Sequence, residues 1–303
     1  MNPLVSIIIP TYSRPGNLCR AIDSVLVQTY SPIEILIVDD NGIGTEHQLE
    51  TEKVLAPYLE ENQIIYLKHE VNKNGSAARN TGSRASNGEF IGYLDDDDVF
   101  FPTKIEKQVA RLQEAHSANP KVAGVYCNTE KTGYAKKSFQ YVSQLEGNLA
   151  EKLMLEEVSF NSSTLLIYRY AYEALNGWDE RFLRHQDWEF CIRFFRQYEI
   201  AVAEPNSCLI GKYNTPNFNA VNPKKLATNM EFYINEMAQD IEAMPRKNEV
   251  YAFRYLWIVR QALAHRQYKL GFEYISKMKE RKRLKFSDYL EILKNLIKSI
   301  IYW

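Results

Sequence analysis

Cysteine is scarce in this chain, and long apolar runs are missing. The four cysteines, Cys19, Cys127, Cys191 and Cys208, stand far apart and form no Cys-x-x-Cys pair. That usage suits reduced, buried thiols and argues against a zinc site or a disulfide framework. No segment reaches the roughly 18 continuous apolar residues of a membrane span, and no basic stretch followed by an apolar one reads as a secretory signal. The expected compartment is therefore the cytoplasm. Net charge is small as well: 38 acidic and 37 basic side chains leave −1, so no global field draws the protein to nucleic acid. Internal repeats are absent. The first apolar run lacks the Gly-x-Gly-x-x-Gly of a dinucleotide oxidoreductase, and no glycine-rich basic phosphate loop of a nucleotidyltransferase follows it. What is present is an ordinary globular composition, 45% hydrophobic and 25% charged over 303 residues. That length suits one large domain, or a domain with an appendage.

The first half alternates short apolar runs with helix-like stretches. Val5-Ser-Ile-Ile-Ile9 is β-branched and reads as a buried strand ending at Pro10. Leu18, Ile22, Val25 and Leu26 make a helical stripe, and Glu34 to Asp39 is a second strand that stops in Asp39-Asp40-Asn41-Gly42. A helix is expected from Glu46 to Leu59, a strand from Ile64 to Leu67, a helix of small residues from Ser76 to Ala85, and a strand from Glu89 to Leu94. This alternation predicts βαβ units and a mainly parallel sheet, in which ligands lie beyond the carboxyl ends of the strands. Thr11 and Tyr12, Asp39 and Asp40, and Asp95 to Asp98 fall at three such ends, which predicts a single polar crevice. The pattern loosens after about Asn128; Thr164 to Tyr168 reads as a strand and Asp187 to Gln197 as a helix. Residues 215–223 have loop composition, and from about Leu226 the reading is helical almost to Trp303. The expected division is an α/β catalytic domain over residues 1–214 and a mainly helical region over 215–303.

The sharpest feature is Asp95-Asp-Asp-Asp98. Two ionised carboxylates about 4 Å apart repel by roughly 4 kcal/mol at an effective dielectric near 20, so the run needs solvent, protons or a cation. A solvated acidic loop is the plain alternative, but Tyr93-Leu94 and Val99-Phe-Phe-Pro102 flank the run with apolar residues. A calcium loop starting at Asp95 would need glycine where Phe100 stands. A divalent cation that also takes phosphate oxygens fits carboxylates beside a crevice.

Val5-Ser-Ile-Ile-Ile-Pro-Thr-Tyr-Ser-Arg14, Ile37-Val-Asp-Asp-Asn-Gly42, Asn72-Lys-Asn-Gly-Ser-Ala-Ala-Arg-Asn80 and Tyr93-Leu-Asp-Asp-Asp-Asp98 occur in order, followed by Gly177-Trp-Asp-Glu180 and Gln186-Asp-Trp-Glu189. Over about residues 4–213 this set resembles the family 2 glycosyltransferases of GT-A fold. The resemblance implies a Rossmann-like sheet flanked by helices, and transfer of a sugar from a nucleotide diphosphate donor with inversion, using Mn²⁺ or Mg²⁺. It implies a donor site of Pro10, Tyr12, Arg14, Asp39, Asp40, Asn74, Arg79, Asp95 and Asp96. Asp39 would accept the imide N–H of uracil (or thymine), the alternative being a strand-end turn residue. Tyr12 would stack on the base, a contact worth about 1–3 kcal/mol, unless it is simply a core or surface tyrosine. Arg79 would hold the nucleotide, unless it is an exposed helix arginine. Asp96 would face the ribose or sugar and Asp97 would bind the metal, with Asp95 and Asp98 supporting or solvated.

Asp187 matches the base position. Accepting the acceptor hydroxyl's proton is worth a factor of about 10²–10⁴; Glu189 is the reserve, and a helix N-cap is the plain alternative for Asp187. Trp178, Asp179 and Glu180 would form an acceptor platform, with a buried core tryptophan as the other reading. His185 reads as structural. Lys212-Tyr213-Asn214 stands where some relatives place a metal-completing histidine, which leaves Lys212 as a phosphate contact. The implied partners are a UDP-sugar donor and a saccharide acceptor, free or on a glycolipid or glycoprotein, in surface polysaccharide or glycoconjugate biosynthesis. A glycoprotein pathway or a non-catalytic sugar-nucleotide-binding module is the alternative. Acceptor choice is expected from Asn128 to Ser159 and from the C-terminal region.

The small net charge hides a cancellation. Lys277 to Trp303 holds eight basic residues against three acidic ones. The same stretch places Leu290, Leu293, Leu296, Ile297, Ile300 and Ile301 at helical spacing. A helix that packs on the catalytic domain or makes a homodimer is one reading. A peripheral helix at the inner face of the plasma membrane is the other.

Overall fold

The apolar runs of the first half become strands at the expected places. In a computed structural model, which describes residues 2–132, 138–159, 161–213 and 222–301, the elements in chain order begin β1 (Val5–Thr11), α1 (Pro15–Leu26), β2 (Ile33–Asp39), α2 (Glu46–Glu60), β3 (Ile65–Lys68), α3 (Gly75–Ala85), β4 (Phe90–Tyr93) and β5 (Asp98–Phe100). They continue with α4 (Lys104–Ala118), β6 (Val122–Thr132), β7 (Ser138–Tyr141), α5 (Ala150–Met154), β8 (Leu165–Tyr168), α6 (Arg169–Ala174), α7 (Gln186–Phe195) and β9 (Glu199–Tyr213). Five helices follow: α8 (Pro223–Glu236), α9 (Ala238–Ala243), α10 (Lys247–Ala264), α11 (Tyr268–Arg281) and α12 (Phe286–Ile301). The chain divides into two compact units, one of residues 1–149 and 158–216, the other of residues 150–157 and 217–303. The expected boundary at 214/215 lies outside the described residues, as do Tyr302 and Trp303.

The first unit is built on one sheet with strand order β3-β2-β1-β4-β8-β6-β9-β5, with β7 paired to β6. Its first four strands are parallel, and β1 pairs with β2 from Val5↔Ile33 to Thr11↔Asp39. Beyond β4 the sheet is mixed, because β8 runs antiparallel to both β4 and β6. Ile7, Ile8 and Ile9 of β1 and Leu36, Ile37 and Val38 of β2 are fully buried, as expected for central strands covered on both faces. The expected stop at Pro10 is corrected, since β1 continues to Thr11. Its pairing with β4 ends at Ile8↔Tyr93, so the missing Pro10 N–H costs no ladder bond on that side. Helix α3 lies close against β1: a Cβ on Gly82 would stand 2.5 Å from Ile8 Cγ2. That approach seats α3 on β1, and Arg79 of the same helix reaches Asp95 just beyond β4 at 2.7 Å.

The second unit is helical. Arg254 of α10 is fully buried, and its guanidinium donates to the Leu153 carbonyl at 3.0 Å and to the Met154 carbonyl, and pairs with Glu156 at 3.3 Å. Carbonyls at the end of α5 thus solvate a charge that burial would otherwise exclude. No described helix is long and apolar enough to cross a membrane.

Candidate active site

The polar residues at the ends of β1, β2 and β4 do converge. A cavity of about 260 Å³ is lined by Pro10, Thr11, Tyr12, Arg14, Asp40, Gly75, Ala78, Arg79, Asp95, Asp96 and Gln186. Asp95, Asp97 and Asp98 each bring a carboxylate oxygen into a group whose members lie within 4.8 Å of one another. Such a set of hard oxygen donors, with phosphate oxygens completing the shell, is what a divalent cation requires.

Asp96 points elsewhere. It is 1% exposed, accepts a hydrogen bond from Thr11 Oγ1 at 2.9 Å and pairs with Arg14 at 2.8 Å. Burial pushes its pKa up to about 7, against the pull of Arg14 and Thr11. Arg14 donates its other arm to Asp97 at 2.6 Å and keeps 42% of its side chain exposed.

Arg79 is buried, which disfavours its charge, yet Asp95 and Asp187 together hold its pKa above the ordinary value. It donates to Asp95 at 2.7 Å, to Ser162 Oγ at 3.0 Å and to Gln186 Oε1 at 3.0 Å, so the exposed-arginine reading is wrong. Tyr12 is 53% exposed at the cavity wall.

Asp39 and Asp40 are buried organisers. Asp40 accepts from Asn72 Nδ2 at 2.8 Å and from the backbone N–H groups of Lys73 and Asn74 at 2.8 and 2.9 Å, and it contacts His69. It thereby folds the 69–74 loop back to start α3. Asn74 caps that helix through Ser76 N and Ala77 N and reaches the Glu180 carbonyl at 2.9 Å. Asp39 is fully buried and does not line the cavity. It accepts from Asn41 N at 2.9 Å, Asn41 Nδ2 at 2.8 Å and the Tyr66 hydroxyl at 2.6 Å.

Asp187 is the second residue of α7, whose N-cap is His185, so the N-cap reading of Asp187 is corrected. Its Oδ1 accepts from the Ser162 N–H at 3.3 Å, and Ser162 Oγ donates to Asp95 at 3.1 Å. Ser162 therefore joins the carboxylate cluster to Asp187. Glu189 is withdrawn as the reserve base, because it is 1% exposed and locked in an ion pair with Arg193.

The acceptor platform is also corrected. Trp178 is 2% exposed, stacks on Phe190 at 4.2 Å and meets Tyr93 edge-on at 5.1 Å. It offers no open ring face to a sugar. Asp179 pairs with Arg181 at 2.7 Å, and Glu180 accepts from Asn80 Nδ2 at 2.8 Å. Asn80 also grips the Trp178 backbone, and a Cβ on Gly177, at φ +73, would stand 2.5 Å from Asn80 Oδ1. His185 stacks on Trp188 at 4.5 Å. The Lys212 backbone pairs opposite Asp98, while its side chain lies outside those described.

Sequence reasoning missed Ser162, Ser163 and Gln186. Ser163 Oγ accepts from the Asp95 N–H at 3.0 Å. The available signal was Asn161-Ser-Ser-Thr164, in which the Asn161 N–H donates to Thr164 Oγ1 at 3.1 Å.

A parallel sheet half extended by mixed strands, with acidic side chains at the strand ends, is the GT-A class of glycosyltransferase fold. Two solved structures share it. The S. aureus TarS 1–349 fragment in complex with UDP-GlcNAc matches with a TM-score of 0.68 at 14% identity, over 96% of this chain and 89% of that one. The mannosyltransferase PcManGT from Pyrobaculum calidifontis, in complex with GDP-Man and Mn²⁺, matches at 0.58 and 15% identity, over 100% and 88%. Residues 6–174 match Glycosyl transferase family 2, and the chain belongs to that family. Uncharacterised glycosyltransferases from Rickettsia prowazekii (33% identical over 200 residues) and Bacillus subtilis (YwdF, 30% over 199) are similar over 64% and 65% of this chain. The match spans 59% of the first and 69% of the second, and 28% of a relative from Rickettsia bellii.

Proposed function

We propose that the chain transfers a sugar from a UDP-sugar to a hydroxyl of a saccharide acceptor in the cytoplasm, inverting the anomeric carbon. The acceptor is free or carried on lipid or protein, in the building of surface polysaccharide or another glycoconjugate. The observation that carries this reading is the joining of a polar cavity at the strand ends, three convergent aspartates and Asp187 through Ser162 and Arg79.

Asp95, Asp97 and Asp98 fit a Mn²⁺ or Mg²⁺ ion, with Asp97 as its principal holder. When bound, such an ion would neutralise diphosphate charge as the nucleoside diphosphate leaves. The chain's own groups do the rest. Arg14 is partly exposed and can turn from Asp97 toward phosphate oxygens. Tyr12 presents a ring on which a base can stack. Three acceptor positions of the Asp39 carboxylate are used, and about four exist; because Asp39 is fully buried outside the cavity lining, the imide N–H of uracil reaches the last one only when a covering side chain such as Tyr66 or Asn41 moves aside. Asp187 takes the acceptor hydroxyl's proton on a carboxylate oxygen, while the Ser162 N–H fixes the carboxylate's orientation.

The test is a panel of UDP-, dTDP- and GDP-sugars assayed for metal-dependent hydrolysis, repeated with lipid-linked and protein-linked saccharides. UDP-sugar turnover is expected. Preference for GDP-sugars would remove the role given to Asp39, and donor binding without turnover on any acceptor would make the chain a binding module.

A further inference from the structure

Helix α12 presents its apolar side outward. Phe286, Tyr289, Leu290, Leu293 and Ile297 fall on one helical face, and all five are 44–77% exposed. Asp288, Glu291 and Asn295 of the helix are drawn away from that face. Asp288 pairs with Lys282 at 3.1 Å, Glu291 pairs with Arg260 of α10 at 3.3 Å, and the Asn295 side chain donates back to the Glu291 carbonyl at 2.8 Å. A helix that merely packs on a protein core shows the opposite arrangement. Its acidic groups are engaged by lysine and arginine, and the chain from Lys279 to Lys294 is rich in exposed base: Lys279, Arg283, Lys285 and Lys294, the last 3.9 Å from Glu291, against Glu280 as the exposed acid among the described residues of that stretch.

We propose that this face of α12 docks on an anionic lipid bilayer, with the stripe among the acyl chains and the basic residues on the headgroups. Charge decides between the occupants. A second copy would use the same patch twice and bring like-charged basic flanks together, whereas an anionic surface complements them. Asp288, Glu291, Lys294 and Asn295 leave the other side of α12 polar, which suits a helix lying in the interface plane.

Sedimentation of the full chain with phosphatidylcholine vesicles, with and without phosphatidylglycerol, tests this. Binding is expected to the anionic vesicles, weakened by salt. The exposed double substitutions Leu290→Ser with Leu293→Ser, and Arg283→Gln with Lys285→Gln, should each lower partitioning roughly tenfold or more. Because they leave the packing of α12 on α10 untouched, circular dichroism and UDP-sugar hydrolysis in solution should stay the same, so this test does not depend on the proposed catalysis. Equal, negligible binding to both vesicle types would overturn the proposal, as would binding indifferent to both double variants. A dimer that dissociates on Leu290→Ser with Leu293→Ser, without vesicle binding, would overturn it in favour of an interface between copies.

Discussion

The carboxylates of Asp96, Asp97 and Asp95 are balanced by arginines from distant elements, Arg14 after β1 and Arg79 on α3. Those of Asp179 and Glu189 are balanced by Arg181 and Arg193, two and four residues along the same segment. A local partner comes with the helix or turn that holds it and leaves only with unfolding. A distant partner, part-exposed as Arg14 is, can be exchanged for an incoming ligand without disturbing either element. Around the candidate site the acidic residues are thus sorted by the origin of their countercharge: the pairs made between elements at the cavity can be exchanged for a ligand, and those within one segment belong to the fold.

Substitutions can break that contrast. The largest effect is expected from Asp187→Asn, which should lower turnover about 10²–10⁴-fold with donor affinity intact; single-turnover kinetics beside donor titration would show it, and unchanged turnover would remove the base. Asp97→Asn comes next. It should weaken Mn²⁺ binding and transfer together by more than the roughly 10–100-fold that outer-shell partners cost, and retained Mn²⁺ affinity on metal titration would disprove the ligand assignment.

On the local side, Glu189→Ala strands a largely buried Arg193. A loss of about 3–5 kcal/mol in urea unfolding is expected, with turnover per folded molecule preserved; lost turnover at full stability would return Glu189 to the chemistry. Arg14→Gln should cost about 1–3 kcal/mol of stability, because Arg14 itself is part-exposed but its partner Asp96 is buried and loses its countercharge. Removing this rival cation should tighten Mn²⁺ binding to the free protein while raising the donor KM, and weaker Mn²⁺ binding would refute the exchange. Smallest of all, Asp179→Asn at an exposed pair should shift stability by no more than about 0.5 kcal/mol. A large loss of transfer there would restore Asp179 to acceptor binding.

Much of the donor side was legible because strand ends are local in sequence. β-branched runs marked β1, β2 and β4, and Thr11, Asp39 and Asp95 follow from where those runs stop. The far wall was not legible in this way. The short Asn161–Thr164 turn and the motif around Asp187 do not say that Ser162 and Gln186 meet Arg79, a contact that depends on β8 pairing with β4 across some seventy residues of chain. Trp178 illustrates the reverse error. A Gly-Trp-Asp-Glu motif advertises a sugar platform, but Phe190 and Tyr93 arrive from other elements to bury the ring. Composition also suggested an amphipathic tail without showing which side of it would be covered.

The short excursion of residues 150–157 bears on how such a protein could be recombined. Because Arg254 is solvated by the carbonyls of Leu153 and Met154, the helical unit is assembled from two stretches of gene separated by more than fifty codons. A single crossover after the catalytic strands would separate the Arg254 guanidinium from the turn at Leu153 and Met154 that it is fitted to. Exchange of this unit among relatives therefore requires a double crossover, or grafting of both pieces. A tail fragment starting at Pro223 would make a poor donor for chimeras, however tidy its first residue looks as a cut site.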